Sequence, residues 1–193
     1  HSVILTATDD NGAVDAQSFT ITVSNVNDDP SITSTAVTSV NEDVAYSYTF
    51  TATDVDASDT LTLAAPTLPS WLSFNSSTGV LSGTPTNDNV GDHAVVLTAT
   101  DAVGAVDTQS FTISVTNVND APSITSTQVT SVVENSAYSY TFEANDVDVG
   151  DTVTLAATTK PAWLTFNAAT GVLSGTPDND DVGDHSVVLT ATD

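Results

Sequence analysis

Residues 45–56 read Ala45-Tyr-Ser-Tyr-Thr-Phe-Thr-Ala-Thr-Asp-Val-Asp56. Tyr46, Tyr48, Phe50 and Ala52 alternate with Ser and Thr. A period of two places every second side chain on one face of an extended backbone, so the stretch is a half-buried β-strand. It runs out into Asp54-Val-Asp56, two carboxylates with no basic residue nearby. The same period recurs in Val95, Leu97 and Ala99 and in Phe111, Ile113 and Val115. Turn residues divide the surrounding sequence into seven strands, at residues 31–40, 45–53, 60–64, 71–74, 80–82, 93–100 and 109–117. No stretch has a helical period. The fold class expected is therefore all-β, with two packed antiparallel sheets joined by Greek-key links. Trp71 and Trp163, each in a Pro-x-Trp-Leu-x-Phe run, are expected to fill the core between the sheets; stacking on carbohydrate is the functional alternative.

The unit repeats. His1, His93 and His185 correspond at a spacing of 92 residues, as do Trp71 with Trp163 and Pro30 with Pro122. Residues 31–101 and 123–193 differ at 18 of 71 aligned positions without insertion or deletion, the mark of recent duplication in a tandem array. The expected division is 1–30, the last part of one repeat; 31–122, a complete seven-stranded repeat; and 123–193, a repeat without its seventh strand. A longer array is expected around this stretch. A sandwich without its last strand exposes an edge and an apolar groove, and residues 17–25 copy residues 109–117 at most positions. Head-to-tail strand donation between chains is one expectation, and a window onto a continuous array is the other.

Strands running alternately down and up assign each loop to one end of a sandwich. That parity places Asp54, Asp56 and Asp101 at the top of a repeat, and Glu42 and the Asn87–Asp92 loop, with Asp88, at the bottom beside the linker Asn117-Val-Asn119-Asp120-Ala-Pro122. The bottom of one repeat then meets the top of the next. Each junction gathers several carboxylates, Asn side chains and carbonyl oxygens with no Lys or Arg to neutralise them. A hard cation taking six to eight oxygen ligands fits such a loop-built site, and Ca²⁺ tolerates irregular geometry better than Mg²⁺. A merely solvated acidic surface is the plainer alternative.

At these residues the chain resembles a known family. Glu42, then Asp54-Val-Asp56, then Ala99-Thr-Asp101-Ala-Val-Gly104, then Asn117-Val-Asn-Asp120-Ala-Pro122 are similar, in order, to the calcium motifs of the cadherin repeat. Residues 68–85, with Trp71, Gly79, Gly83 and Pro85, resemble the dystroglycan-type cadherin-like and putative-Ig modules found in tandem in large bacterial adhesins and in some polysaccharide-degrading systems. The resemblance implies tandem cadherin/Ig-like sandwiches with calcium-binding linkers. Its ligand sets are Asn27, Asp28, Asp54, Asp56 and Asp101 at the first linker, and Glu42, Asn119, Asp120, Asp146, Asp148 and Asp193 at the second. Two departures stand out: the Leu-Asp-Arg-Glu-like motif before the sixth strand is missing, and the linker begins with Asn where cadherins often have Asp.

Composition bounds the function. The 193 residues carry 25 acidic side chains and one basic one, Lys160, for a net charge of −24. Such a chain attracts neither nucleic acid nor an anionic membrane, and no apolar run is long enough for direct membrane insertion. There is no cysteine, so the redox compartment stays open. The three histidines are one residue repeated at the start of a strand, and there is no Cys/His zinc spacing or phosphate-binding loop, so the expectation is not an enzyme. The reading is a calcium-stabilised extender of a secreted, extracellular bacterial surface adhesin, serving cell adhesion or biofilm attachment. Its partners are the neighbouring repeats. Binding of glycans by the repeats, as a calcium-dependent carbohydrate-binding module, is the rival reading, and homophilic adhesion a third.

Overall fold

In a computed structural model the structure describes residues 1–56 and 59–193; Ala57 and Ser58, in the loop of the first DxD pair, lie outside them. Among the described residues every regular element is a β-strand except two single-turn 3₁₀ segments, Asn87–Asn89 and Asn179–Asp181.

The chain begins with β1 (Ser2–Thr8) and β2 (Val14–Thr20), an antiparallel hairpin in register from Ser2↔Thr20 to Thr8↔Val14. Nine strands follow among the described residues of the middle repeat: β3 (Ser31–Ile32), β4 (Ser39–Asn41), β5 (Tyr46–Thr49), β6 (Ala52–Thr53), β7 (Thr62–Thr67), β8 (Leu72–Asn75), β9 (Val80–Gly83), β10 (Gly91–Thr100) and β11 (Val106–Thr116). The next repeat supplies β12 (Ser123–Ile124), β13 (Tyr138–Thr141), β14 (Ala144–Asn145), β15 (Thr154–Thr159), β16 (Leu164–Asn167), β17 (Val172–Gly175) and β18 (Val188–Thr192).

Nine strands stand where seven were expected because the first two are each broken. β3 pairs antiparallel with β6, whereas β4 has crossed to the other layer and pairs parallel with β11, Ser39↔Ser114 to Asn41↔Thr116. The expectation of purely antiparallel sheets fails at that pair. The interruption between β5 and β6 falls where Phe50 N–H turns to the Gly79 carbonyl and the Thr51 carbonyl accepts from Thr33 N–H. The layers are a sheet in the order β4-β11-β10-β7 and a sheet in the order β5-β9-β8, with the small β3-β6 pair. The following repeat has the matching β13-β17-β16, β12-β14 and β15-β18 pairings. Residues 131–133, which align with β4, form no strand there.

Two compact units make up the chain, the first comprising His1–Thr38, Ser47–Gly83 and His93–Ile113, the second Ser39–Tyr46, Thr84–Asp92 and Ser114–Asp193. The core of the first contains the alternating residues Tyr48 and Phe50, Leu72, Leu81, Val95, Leu97, Ala99 and Ile113, all buried. Within the second, Tyr140, Phe142, Leu164 and Leu173 form one cluster. The tryptophans are not enclosed in these cores, although Trp163 packs against the cluster of the second unit. Each is half-buried: Trp71 stands edge-on to His93 at 5.8 Å, and Trp163 edge-on to both Tyr138 and His185 at 6.0 Å.

Gly79 in the β8–β9 turn has φ +70°, and a Cβ there would collide with the Phe50 carbonyl oxygen that terminates β5. Gly104 also has a positive φ, but faces open space. Gly104→Ala is expected to cost about 1 kcal/mol, the left-handed backbone penalty alone, and Gly79→Ala about 3 kcal/mol, because backbone must also move. Urea denaturation of the two variants measures the difference, and equal losses would mean that the close approach at Gly79 is relieved without cost.

Candidate metal centres

The first unit contains the linker that follows β2. Asn27 Nδ2 donates to Asp101 Oδ2 (2.8 Å) and to the Asp28 carbonyl (3.0 Å). Asp28 N–H donates to Asp56 Oδ2 (2.9 Å), and Asp56 N–H to Asp54 Oδ1 (2.9 Å). These contacts follow from the DxD pattern: an Asp caps the backbone two residues on, which turns the loop and presents its partner carboxylate to the linker. Asp101 is buried, and its Oδ1 accepts from Val103, Gly104 and Ala105 N–H at 3.0, 2.7 and 2.7 Å. One oxygen each from Asp54, Asp56 and Asp59 lies within 4.8 Å of the others. Asp54 Oδ2 and Asp59 Oδ2 are buried without a hydrogen-bond partner.

The second unit repeats the arrangement around residues 117–122. Asn119 Nδ2 donates to Asp193 Oδ2 (2.6 Å), Asp120 N–H to Asp148 Oδ2 (2.7 Å), and Asp148 N–H to Asp146 Oδ1 (2.9 Å). Here the preceding turn joins in. Glu42 Oε1 accepts from Val118 N–H (2.6 Å), while Asn87 Nδ2 donates to Asp120 Oδ2 (2.8 Å). Glu42, Asp120 and Asp148 each bring an oxygen within 4.8 Å of the others, and Asp146, Asp148 and Asp151 form a second such group. Glu42 is only 1% exposed and Asp148 5%. Even so, Glu42 Oε2, Asp148 Oδ1, Asp146 Oδ2 and Asn87 Oδ1 are buried with no hydrogen-bond partner.

Buried acceptors left unpartnered are costly, and carboxylates more so than neutral groups. Their convergence suits a divalent cation with oxygen ligands, and the donor set, carboxylates and amide oxygens without nitrogen or sulfur, is that of a hard ion. Lys160, the one basic side chain, donates to the Leu164 carbonyl at 2.7 Å and so serves a hairpin instead.

Among the residues nominated from sequence, Asn27, Asp28, Asp54, Asp56 and Asp101 are linked in the first unit, and Glu42, Asn119, Asp120, Asp146, Asp148 and Asp193 in the second. Asp88 is exposed on its 3₁₀ turn, and its neighbour Asn87 reaches the linker. Asp59 and Asp151 join the DxD groups without having been singled out. Their place three residues after the second Asp of each DxD was the available signal.

His93 and His185 are held structurally, His93 by its edge contact with Trp71. Besides the edge contact with Trp163, His185 Nε2 lies 2.7 Å from the Asp181 carbonyl oxygen.

The Putative Ig domain family matches residues 29–116 and 121–193. The chain belongs to that family. As Putative Ig domains, its repeats are similar to the serine-rich adhesin for platelets of Staphylococcus aureus strain MRSA252, at 34% identity over 143 residues, 74% of this chain and 10% of the adhesin. The chain thus spans about a tenth of that relative. Among solved structures, the protocadherin PcdhgB3 EC1-4 matches at a TM-score of 0.62 over 99% of this chain and 52% of the other, with 18% identity, a likeness of fold. An endo-fucoidan hydrolase of glycoside hydrolase family 107 overlaps all of this chain and 32% of its own, at 25% identity and a TM-score of 0.42. The Putative Ig domains here are tandem cadherin-like β-sandwiches.

The carboxylates differ in their surroundings. Burial, then repulsion from Asp54, Asp101 and Asp56, pushes the Asp59 carboxyl above its ordinary value. The Asn27 amide beside Asp101, helped by the three backbone N–H donors, holds that carboxyl below its ordinary value against the opposing effect of burial. A lowered carboxyl favours the fold above its unfolded pKa of about 3.9, and that support is lost as pH falls through the lowered folded value. Asn27→Ala is expected to move the Asp101 midpoint upward, as read by carboxyl-carbon NMR titration. An unchanged midpoint would mean that the amide does not hold Asp101 in solution.

Proposed function

We propose that this chain is a length of the extended stalk of a secreted bacterial surface adhesin, in which Ca²⁺ clamps each linker to its flanking loops and so stiffens the array. The observation that carries this reading is the Glu42, Asp120 and Asp148 group, with its buried, unpartnered oxygens. Those three residues come from the turn before β5, the linker and the following DxD loop, so one ion would tie together three segments distant in sequence. Glu42, Asp120, Asp146, Asp148 and the Asn87 amide oxygen would supply its ligands in the second unit; Asp54, Asp56, Asp59 and Asp101 would supply them in the first. The ion's contribution is charge neutralisation and a fixed linker, with no chemical transformation.

Membership of the Putative Ig domain family and the similarity to a staphylococcal adhesin support an extracellular, cell-surface setting. A role for these repeats in attachment, including biofilm attachment, follows from such a setting. Glycan recognition finds less support: of the twelve aromatic side chains, all among the described residues, Phe19 alone is exposed, and a sugar platform ordinarily presents an open ring or a pair of them. The neighbours of each repeat are the partners this reading requires.

Calcium at a hundredfold excess over its dissociation constant is expected to stabilise the fold by about 2.7 kcal/mol and to raise Tm accordingly. Asp148→Asn keeps an acceptor for Asp120 N–H but removes a charge facing Glu42. It is expected to melt higher than the parent in EDTA and to gain less from calcium. Identical melting and small-angle scattering in EDTA and in millimolar calcium would end the proposal.

A further inference from the structure

The turn between β1 and β2, Asp9-Asp-Asn-Gly-Ala13, contains the one Asn-Gly pair in the sequence, and no Asp precedes a Gly. The turn closes through Gly12 N–H to the Asp9 carbonyl (3.0 Å) and Asp9 N–H to the Ala13 carbonyl (2.9 Å). Asp9 Oδ1 lies across it and accepts from Asn11 N–H (2.9 Å) and Ala13 N–H (2.8 Å). The Asn11 side chain itself has no hydrogen-bond partner among the described residues, and residues 9 to 13 are all exposed. Gly12 has φ +84°, with nothing within 4 Å of the place a Cβ would take. A glycine leaves its own nitrogen open to close approach from the preceding side chain.

This exposure is a property of the turn wherever it occurs. In the middle repeat the same turn, Asp101-Ala-Val-Gly-Ala105, joins β10 to β11 inside a four-stranded sheet. Asp101 N–H again donates to the Ala105 carbonyl (3.0 Å), and Asp101 Oδ1 again accepts from the N–H groups two and four residues on. Val103, the counterpart of Asn11, is 72% exposed there. The asparagines elsewhere are placed differently. Asn75 and Asn167 give their side-chain oxygens to backbone N–H two residues on, and Asn27 and Asn119 donate to Asp101 and Asp193. None of these four precedes a glycine.

We propose that Asn11 is a self-modification site, at which the chain closes a succinimide through Gly12 and water reopens it to isoaspartate or aspartate. Local opening of the turn frees Gly12 N–H from the Asp9 carbonyl. The Gly12 nitrogen then attacks Asn11 Cγ: the N–Cγ bond forms, the Cγ–Nδ2 bond breaks, and Nδ2 leaves as ammonia, carrying the proton that Gly12 gives up. One water opens the ring. Cleavage of the new N–Cγ bond leaves an ordinary aspartate, and cleavage of the original peptide bond leaves isoaspartate, with the main chain routed through the side chain. Both products replace a neutral amide with a carboxylate. Isoaspartate also inserts a methylene into the chain between Asn11 and Gly12. That insertion falls between the two N–H donors of Asp9 Oδ1, so Ala13 N–H is drawn away from it. The Val103 turn has no such chemistry, and of these two equivalent turns only the first ages. The proposal is independent of the cation reading, and its test is carried out in EDTA.

The experiment incubates the folded chain at mildly alkaline pH and follows peptic fragments by mass spectrometry, with electron-transfer fragmentation to separate isoaspartate from aspartate. Fragments containing residue 11 are expected to convert mainly to isoaspartate, faster as pH rises, while those containing Asn75 stay unchanged. The modified chain is expected to accept methyl groups from S-adenosylmethionine with an isoaspartyl methyltransferase, and to lose amide-exchange protection at Ala13. Two variants locate the cause. Asn11→Val installs the residue that the middle repeat tolerates in this turn and is expected to abolish the conversion. Val103→Asn creates the same Asn-Gly pair between β10 and β11 and is expected to add a second site, converting at a rate within a few-fold of the first. An Asn11 that lasts as long as Asn75 overturns the proposal. Conversion at Asn11 with none at the introduced Asn overturns the turn as its cause. Conversion that leaves Ala13 protected overturns the release of Asp9.

Discussion

Like charges forced together govern this chain. Two carboxylate charges within 4.8 Å of each other repel by roughly 3 kcal/mol or more at an effective dielectric of about 20, and Glu42, Asp120 and Asp148 each bring an oxygen inside that distance while two of them are buried. The linker nevertheless folds onto them, using Val118 and Asp120 N–H to satisfy one oxygen of Glu42 and one of Asp148. Each backbone donor neutralises only part of a charge. The oxygens left over therefore define what the surroundings must supply, and a chain with a single lysine cannot supply it from within.

Much of this was legible in residue order. The alternation from Tyr46 to Ala52 identified an inward face because burial in a sandwich follows every second residue, and loop parity brought Glu42 to the same linker as Asp148 because antiparallel strands reverse at each turn. Parity could not say which residue of the 87–92 loop turns inward. That depends on the 3₁₀ turn at Asn87–Asn89, whose geometry exposes Asp88 and directs Asn87 at Asp120. The tryptophans were placed only in part, for a similar reason: a large aromatic in a strand pattern reads as core, and Trp163 does pack against the Tyr140 cluster, but Trp71 and Trp163 both stand edge-on to histidines and remain half-buried. The parallel β4–β11 pair was hidden because a strand that changes layers keeps its period of two in each half.

The duplicated sequence also separates the contributions of residue identity and of environment. Tyr46 is buried and Tyr138 only half-buried, although both precede Ser-Tyr-Thr-Phe. Burial of Tyr138 and repulsion from Tyr140 still push the Tyr138 phenol above its ordinary value. Their own sheets are equivalent, β5-β9-β8 and β13-β17-β16; what differs is that Ser39–Asn41 forms a strand in the other layer while residues 131–133 form none. Local pattern sets which face of a strand is apolar, and the rest of the sandwich sets whether that face is dry.

The parallel pairing of β4 with β11 bears on how such a repeat meets tension. A pull on the chain from both sides draws β4 toward its N-terminal end and β11 toward its C-terminal end. Since the two strands point the same way, those pulls oppose each other along a shared axis, and the interstrand bonds from Ser39↔Ser114 to Asn41↔Thr116 are loaded together instead of one after another. A sheet entered by a simple hairpin would unzip bond by bond. Crossing the first strand to the far layer therefore gives the repeat a shear joint in the line of force.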